Sequence, residues 1–271
     1  MRDGTSIVVL RASRRVWAVG AIHGEADRLE RLHDQLWSRL RPGDRIVYLG
    51  NHLGRGPNVR RAVDELIRFR REVIARPDFI LSDHVCDVVH LRGAQEEMWQ
   101  KLLQIQFSLN PREVLSWMLR QGAAATIEAY GSHEEQGMAA ARDGVRALMR
   151  WTAALRSQIQ AAEGHSALAS SLKHAAVTDD GNLLFVSADI APERPLHAQG
   201  DVLWWGTGAG IDSLDDSFSG CRLVVAGYDR RGRGVRIGRH AAVLDGGAGQ
   251  GGTVVAACFD PMGALVDRIE A

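Results

Sequence analysis

"VWAVGAIHGEADRL", residues 16–29, is the stretch on which the rest of the chain turns. The β-branched and aromatic run at its start is strand-like, and Gly20 and Gly24 bracket a tight turn. Leu29, Leu32, Leu36, Trp37 and Leu40 then recur at helical spacing, predicting a helix over 25–40. The turn carries one histidine, His23. A metal-holding turn of this shape sets an aspartate two residues earlier, and that position is Ala21.

Working outward, the strand-into-glycine pattern recurs. "DRIVYLG" (44–50) enters the turn "GNHLGRGPN" (50–58), after which Val59, Val63, Leu66, Ile67, Val73 and Ile74 share one helical face. "DVVHLRG" (87–93) ends in glycine as well. This βαβαβ order predicts a sheet fed by right-handed crossovers, with functional turns at the strand C-termini. From about 95 to 173 the chain is rich in Ala, Gln, Glu, Arg and Leu. It is broken at Asn110–Pro111, at Gly131 and around "AAEGHSALASS" (161–171), which reads as a helical insertion. Strands return from 175, with "NLLFVSAD", "CRLVVAGYD", "AAVLDGG" and "GGTVVAACFD" each closed by Gly or Asp.

Composition narrows the function. Lys+Arg 33 balances Asp+Glu 33 in the 271 residues, so no net field recruits nucleic acid or an anionic membrane. Cys86, Cys221 and Cys258 are odd in number, far apart and without metal-type spacing, which suits a reducing compartment. "SIVVL" is too short for a signal-peptide core and no apolar run approaches bilayer length, so the expectation is a soluble cytoplasmic protein.

Seven segments, in order, resemble the calcineurin-like metallophosphoesterase superfamily, in its bacterial serine/threonine-phosphatase-like and diadenosine-tetraphosphatase-like branch. "GAIHG" (20–24) stands where the family has Gly-Asp-x-His-Gly. "GNHLGRGPN" (50–58) stands for Gly-Asp-x-x-Asp-Arg-Gly-Pro, and "LRGAQEE" (91–97) for Leu-Arg-Gly-Asn-His-Glu. "WMLRQGAAATIEAYG" (117–131) and "FVSADIAPERPLHAQGDVLWWG" (185–206) resemble segments of that branch. "VVAGYD" (224–229) replaces Val-Val-His-Gly-His-Thr, and "LDGGAGQGG" (244–252) matches Asp-Thr-Gly-Ala…Gly-Gly. The resemblance covers essentially the whole chain. It implies an α/β fold, the metallophosphoesterase-type αββα sandwich of two mixed sheets, in a single domain (1–271) with a helical cap insertion at about 95–173.

What the resemblance implies about chemistry is set by its departures. Such enzymes hold two divalent metals roughly 3.5–4 Å apart, bridged by a carboxylate, to generate the attacking hydroxide. The first-turn Asp is Ala21, leaving His23; the bridging Asp is Asn51; the second-turn Asp is Gly54. The third turn's Asn and its proton-donating His are Ala94 and Gln95, the fourth turn's His is Ser187, and the last turn's two His are Ala226 and Tyr228. Hard and borderline cations need Asp oxygens and His nitrogens, so this set does not hold two dications. Loss of charge is also what a metal-free cluster favours, since two unit charges ~4 Å apart repel by about 4 kcal/mol at an effective dielectric of ~20.

Arg55 matches the family's phosphate-contacting arginine, and Arg92 is a second candidate anion contact or a structural brace. The expectation is therefore a pseudophosphatase without metal cofactor. It works by binding a protein partner or a phosphorylated, nucleotide-like or other anionic ligand, with Arg55 on the anion and His23, Asn51, Gln95, Ser187 and Tyr228 as remnants of the site. The alternative is a residual or repurposed phosphoesterase using manganese or another divalent metal, held by His23, His52, Asp189 and Asp229.

Overall fold

The computed structural model describes residues 6–77 and 86–271. Eleven strands form two sheets: β1 (Ile7–Leu10), β2 (Arg15–Val19), β3 (Asp44–Tyr48), β4 (Asp87–His90), β5 (Ala175–Thr178), β6 (Leu183–Val186), β7 (Leu223–Ala226), β8 (Arg236–Ile237), β9 (Ala241–Val243), β10 (Val255–Phe259) and β11 (Leu265–Glu270). One sheet runs β1-β5-β6-β7-β9-β8 and the other β11-β10-β2-β3-β4. β2, β3 and β4 are parallel, with β10 and β11 added antiparallel; β6, β7 and β9 form the parallel centre of the other sheet. Both sheets are mixed.

Side-chain alternation divides the interior. Val16, Ala18, Val47 and Leu49 face Phe185, Leu183, Val225 and Leu223 across the gap between the sheets. Their neighbours Trp17, Val19, Ile46 and Tyr48 point outward and meet Leu29, Leu32, Leu36, Leu66 and Phe69. Those residues come from the helices Ala26–Arg39 and Val59–Ile74, which the periodicity places at 25–40 and 58–74. On the outer face of the other sheet, Leu184, Val186 and Val224 are covered by Leu203, Trp204 and Ile211. The layers are helix, sheet, sheet, helix.

Between β4 and β5 the described residues are helical: Ala94–Leu102, Pro111–Arg120, Ala123–Ala129, Glu134–Asp143, Val145–Ala161 and His165–Ser171, plus one 3₁₀ turn. Pro111 supplies the first-turn proline after Asn110, and Gly131 follows the end of Ala123–Ala129, so the breaks fall where Pro and Gly put them. These helices build their own core around Met98, Leu115, Ile127, Leu148 and Leu155. The three cysteines are free and buried, and no helix among the described residues is long and apolar enough to cross a membrane.

Candidate functional site

The turns after β2, β3, β4, β6 and β7 are knitted together by backbone hydrogen bonds. Ala21 N–H donates to the Gly227 carbonyl at 2.9 Å, those of Ile22 and His23 donate to the Asn51 carbonyl at 3.1 and 2.7 Å, and that of Gly227 donates to the Ser187 carbonyl at 3.0 Å. Gly50 (φ +88) allows the closest approach: a Cβ there would lie 2.6 Å from the Gly93 nitrogen and 2.8 Å from Ser187 Oγ. The sequence-predicted remnants His23, Asn51, Gln95 and Tyr228 thus meet at one cleft, with Ser187 buried behind Gly50.

Glu96 holds the arrangement from below. It is buried, and its Oε2 accepts the N–H groups of Asn51 and Gly93 at 2.8 Å each. Its Oε1 accepts those of His52 and Leu53 at 2.7 and 3.0 Å. Burial alone would raise its pKa, but the neighbouring His52 and these N–H donors hold it at about 2. Sequence reasoning gave Glu96 no role. The signal was present in the spacing Gly93-x-x-Glu96, in which a glutamate in the first turn of helix Ala94–Leu102 reaches back to the N-cap N–H.

Inside the cleft, three backbones are left-handed: His23 (φ 50), Asn51 (φ 54) and Arg55 (φ 59). Only two other non-glycine residues among those described share that conformation, so strain is concentrated here. Burial, reinforced by Arg55, lowers the His23 pKa to about 4, which makes the ring neutral at neutral pH. Its Nδ1 lies 3.3 Å from the Leu53 carbonyl, and Nε2 is buried without a partner. Asn51 Oδ1 accepts the Gln95 N–H at 3.1 Å, and Nδ2 is unpartnered. Gln95 Nε2 donates to the Gln121 carbonyl at 2.8 Å, laying its amide across Gly54 (φ +81). A Cβ on residue 54 would stand 2.3 Å from Gln95 Oε1, so Gln95 occupies the space a side chain there would need.

Tyr228 closes the cleft. Its ring meets His23 edge-on at 5.5 Å, and its hydroxyl accepts from the Arg55 guanidinium at 3.1 Å. Trp117 and Trp205, 5.9 Å apart, form another wall. The remaining space is ≈ 30 Å³, enough for a water but not for a phosphate ester. Arg55 also reaches a second, wider pocket of ≈ 360 Å³ outside Tyr228, which Arg230, Asp245 and the glycine-rich turn 246–252 line. Burial raises the Asp245 pKa, and its oxygens accept the N–H groups of Asp229 and Gly247. No carboxylate lies within 4 Å of the Arg55 guanidinium among the described residues.

The remaining candidates do not converge. His52 and Arg92 line a different cavity, under the helices. Arg92 donates to Glu97 at 2.9 Å. Asp189 spends its oxygens on the N–H groups of Ile190, Gly208, Gly210 and Ile211. Asp229 is buried yet held at about 2, against the effect of burial, by the Arg233 guanidinium, the Arg231 N–H and the Arg236 guanidinium. Among the described residues no group of three or more His, Cys, Asp or Glu is disposed to hold a metal ion.

No protein-family model matches the chain, and no curated protein matches it in sequence. Solved structures do. One is described as a candidate diadenosine tetraphosphatase: 19% identity, TM-score 0.58, covering 98% of each chain. A protein serine/threonine phosphatase from Saccharomyces cerevisiae, with similarity to human phosphatase PP5, is 12% identical with TM-score 0.51, over 99% of this chain and 84% of that one. The chain has the calcineurin-like metallophosphoesterase fold. A cold-active protein-tyrosine phosphatase of a psychrophilic Shewanella species, 13% identical with TM-score 0.50, covers 100% of this chain and 82% of its own.

The sequence resemblance implies that a metal centre would sit at these strand ends. A pair of dications there needs several carboxylates and imidazoles. This chain presents Ala21, Asn51, Ala94, Ser187, Ala226 and Tyr228, with His23 the one imidazole. The donor set does not fit a two-metal centre.

Proposed function

We propose that this protein is a catalytically inactive metallophosphoesterase-fold protein, a pseudophosphatase, that acts by binding a phosphate-bearing ligand at the mouth of the strand-end cleft. The observation that carries the reading is Arg55. Its backbone is held in a left-handed conformation that disfavours an L side chain, and its guanidinium faces a ≈ 360 Å³ pocket with only a tyrosine hydroxyl as side-chain partner. A guanidinium kept at a strained position without a carboxylate is suited to an incoming anion, which it can hold bidentately. Arg230 and the glycine-rich turn supply a second positive charge and exposed backbone on the same pocket, while its two carboxylates are engaged, Asp229 by Arg233 and Arg236 and Asp245 by the N–H groups of Asp229 and Gly247.

The inner cleft argues against turnover. Tyr228 and Gln95 fill the space beside His23, and the fold's other donor positions carry no carboxylate. The test has two arms. Turnover of p-nitrophenyl phosphate and of diadenosine tetraphosphate in added manganese is expected to stay at background, and metal-dependent turnover abolished by His23→Ala overturns the inactive reading. Inorganic phosphate and a phosphoserine peptide are expected to raise the melting temperature of the wild type and not of Arg55→Ala. A shift with the peptide alone points to a protein partner, and no shift with either removes support for the binding reading.

A further inference from the structure

A second space with apolar walls lies apart from the strand-end cleft. It lies under the helices that follow β4, has a volume of ≈ 350 Å³, and shares no lining residue with the cleft. Val63, Trp99, Leu103, Tyr130, Ile159 and Leu168 form its apolar walls. Trp99 and Tyr130 are stacked on one another, ring centroids 5.5 Å apart, so this wall is flat and rigid. A volume of this size falls in the range of small-molecule sites, with the usual mixture of apolar walls and a few polar groups.

The polar groups define the sign of the ligand. Arg92 and Arg156 line the cavity; Glu97 and Lys101, one turn apart on the same helix, lie behind Arg92 and outside the lining. Glu97 answers both Arg92, at 2.9 Å, and Lys101, at 3.2 Å. The other carboxylate, Glu96, has both oxygens occupied by four backbone N–H groups and offers no free acceptor. Arg156 donates to the Leu103 carbonyl and has no carboxylate within 4 Å among the described residues. Two guanidiniums, Arg92 and Arg156, thus line an apolar chamber whose lining carboxylate, Glu96, is saturated. The arrangement repels a cationic ligand and leaves guanidinium N–H groups for an anionic one.

We propose that this cavity is a binding site for an amphipathic anion, with an aliphatic or aromatic body against Trp99, Tyr130 and Ile159 and a carboxylate-type head on Arg156 and Arg92. It is a site separate from the one under the proposed function and does not depend on it.

Calorimetric titration with octanoate tests this directly, with octan-1-ol and octyltrimethylammonium as charge controls. Saturable binding of one octanoate per chain is expected, at least tenfold tighter than octan-1-ol, with no binding of the ammonium analogue. Arg156→Gln is expected to weaken octanoate about tenfold, as for loss of one charge-assisted contact. Ala169→Trp, at an exposed lining position, is expected to block entry without disturbing the core. Ile159→Trp fills the chamber from within, and its folding is checked by circular dichroism. Saturating inorganic phosphate is expected to leave octanoate binding unchanged. Absent or unsaturable binding, equal affinity for the cationic analogue, insensitivity to both Arg156→Gln and Ala169→Trp, or competition by phosphate each overturns the proposal.

Discussion

The strand-end cleft and the cavity under the helices lie on opposite sides of the same turn, and they are built to opposite rules. In the cleft, space has been filled to ≈ 30 Å³ and the lining carries arginines but no carboxylate, while three non-glycine residues keep left-handed backbones. In the cavity, ≈ 350 Å³ stays open and charged groups remain. Residues 51–53 separate them: Asn51 looks into the cleft, while the next residue, His52, lines the cavity. The difference shows what the turns need. Their backbone path does not depend on a cation at the strand ends, because a buried carboxylate on the far side, Glu96, already satisfies the N–H groups that fix it.

That explanation is broken most readily at Glu96 itself. Glu96→Ala strips the acceptor from four buried N–H groups and leaves no water-accessible substitute. The expected loss is about 4 kcal/mol or more, read as a fall in urea midpoint. Glu96→Gln keeps part of the geometry and is expected to lose roughly half as much. A loss below about 1 kcal/mol for the alanine variant would mean that something other than Glu96 holds the turn.

Acid should reveal the next largest effect. His23 has a folded pKa of about 4 against an ordinary 6.5, and burial lowers those of His33 and His90 too. Between those limits the unfolded chain binds protons that the native chain does not, so stability rises with pH across the window and is lost as pH falls below about 6.5. His23 alone accounts for about 2 kcal/mol by roughly pH 5. A second loss follows below about 4.5, where Glu96, held at about 2 in the folded state, must be protonated in the unfolded chain. His23→Asn tolerates the same backbone and should flatten the upper part of this slope by one proton; an unchanged slope there would show that His23 is not the group titrating.

How far the sequence foretold this contrast varies with the element. β2, β3 and β4, their helices and their turns were legible because hydrophobic periodicity switches from strand to helix across glycines. β11 was not, because as an edge strand it buries only Ile269 and shows no alternation. β8 has two residues and no pattern to read. At the site, the identities of Ala21, Asn51, Gln95, Ser187 and Tyr228 could be aligned by resemblance, but not their direction. His52, Asp189 and Asp229 look like spare ligands in sequence, yet they do not converge on the cleft. His52 turns to the far side, Asp189 caps Ala209–Asp212, and Asp229 is bound by arginines from the same loop. A side chain's chemistry is written in the sequence, but the partner that consumes it is set by chain segments far apart.

The fit between Gly54 and Gln95 gives a sharper, smaller test. Gly54→Asp places a side chain on a left-handed backbone and within 2.3 Å of Gln95 Oε1. It should cost about 2 kcal/mol in chemical denaturation. In a Gln95→Ala background the collision disappears and the backbone strain stays, so the cost should fall by about 1 kcal/mol. Additivity of the two changes would show that Gln95 moves aside freely and that the cleft is not closed by packing.

The smallest effect separates stability from binding. Arg55 carries a left-handed φ of 59, and its guanidinium has a single side-chain hydrogen bond, to Tyr228. Alanine keeps the unfavourable backbone and loses the guanidinium; glycine loses the guanidinium and relaxes the backbone. Arg55→Gly should therefore be more stable than Arg55→Ala by about 1 kcal/mol, reduced by the extra chain entropy of glycine when unfolded. Both should lose the phosphate-induced shift. A protein that retains arginine where glycine is tolerated better gives up some stability for the guanidinium, which is what the proposed binding role of the pocket outside Tyr228 requires. Equal stability of the two variants would show that the position stores no strain, and the case for Arg55 would then rest on its ligand contacts alone.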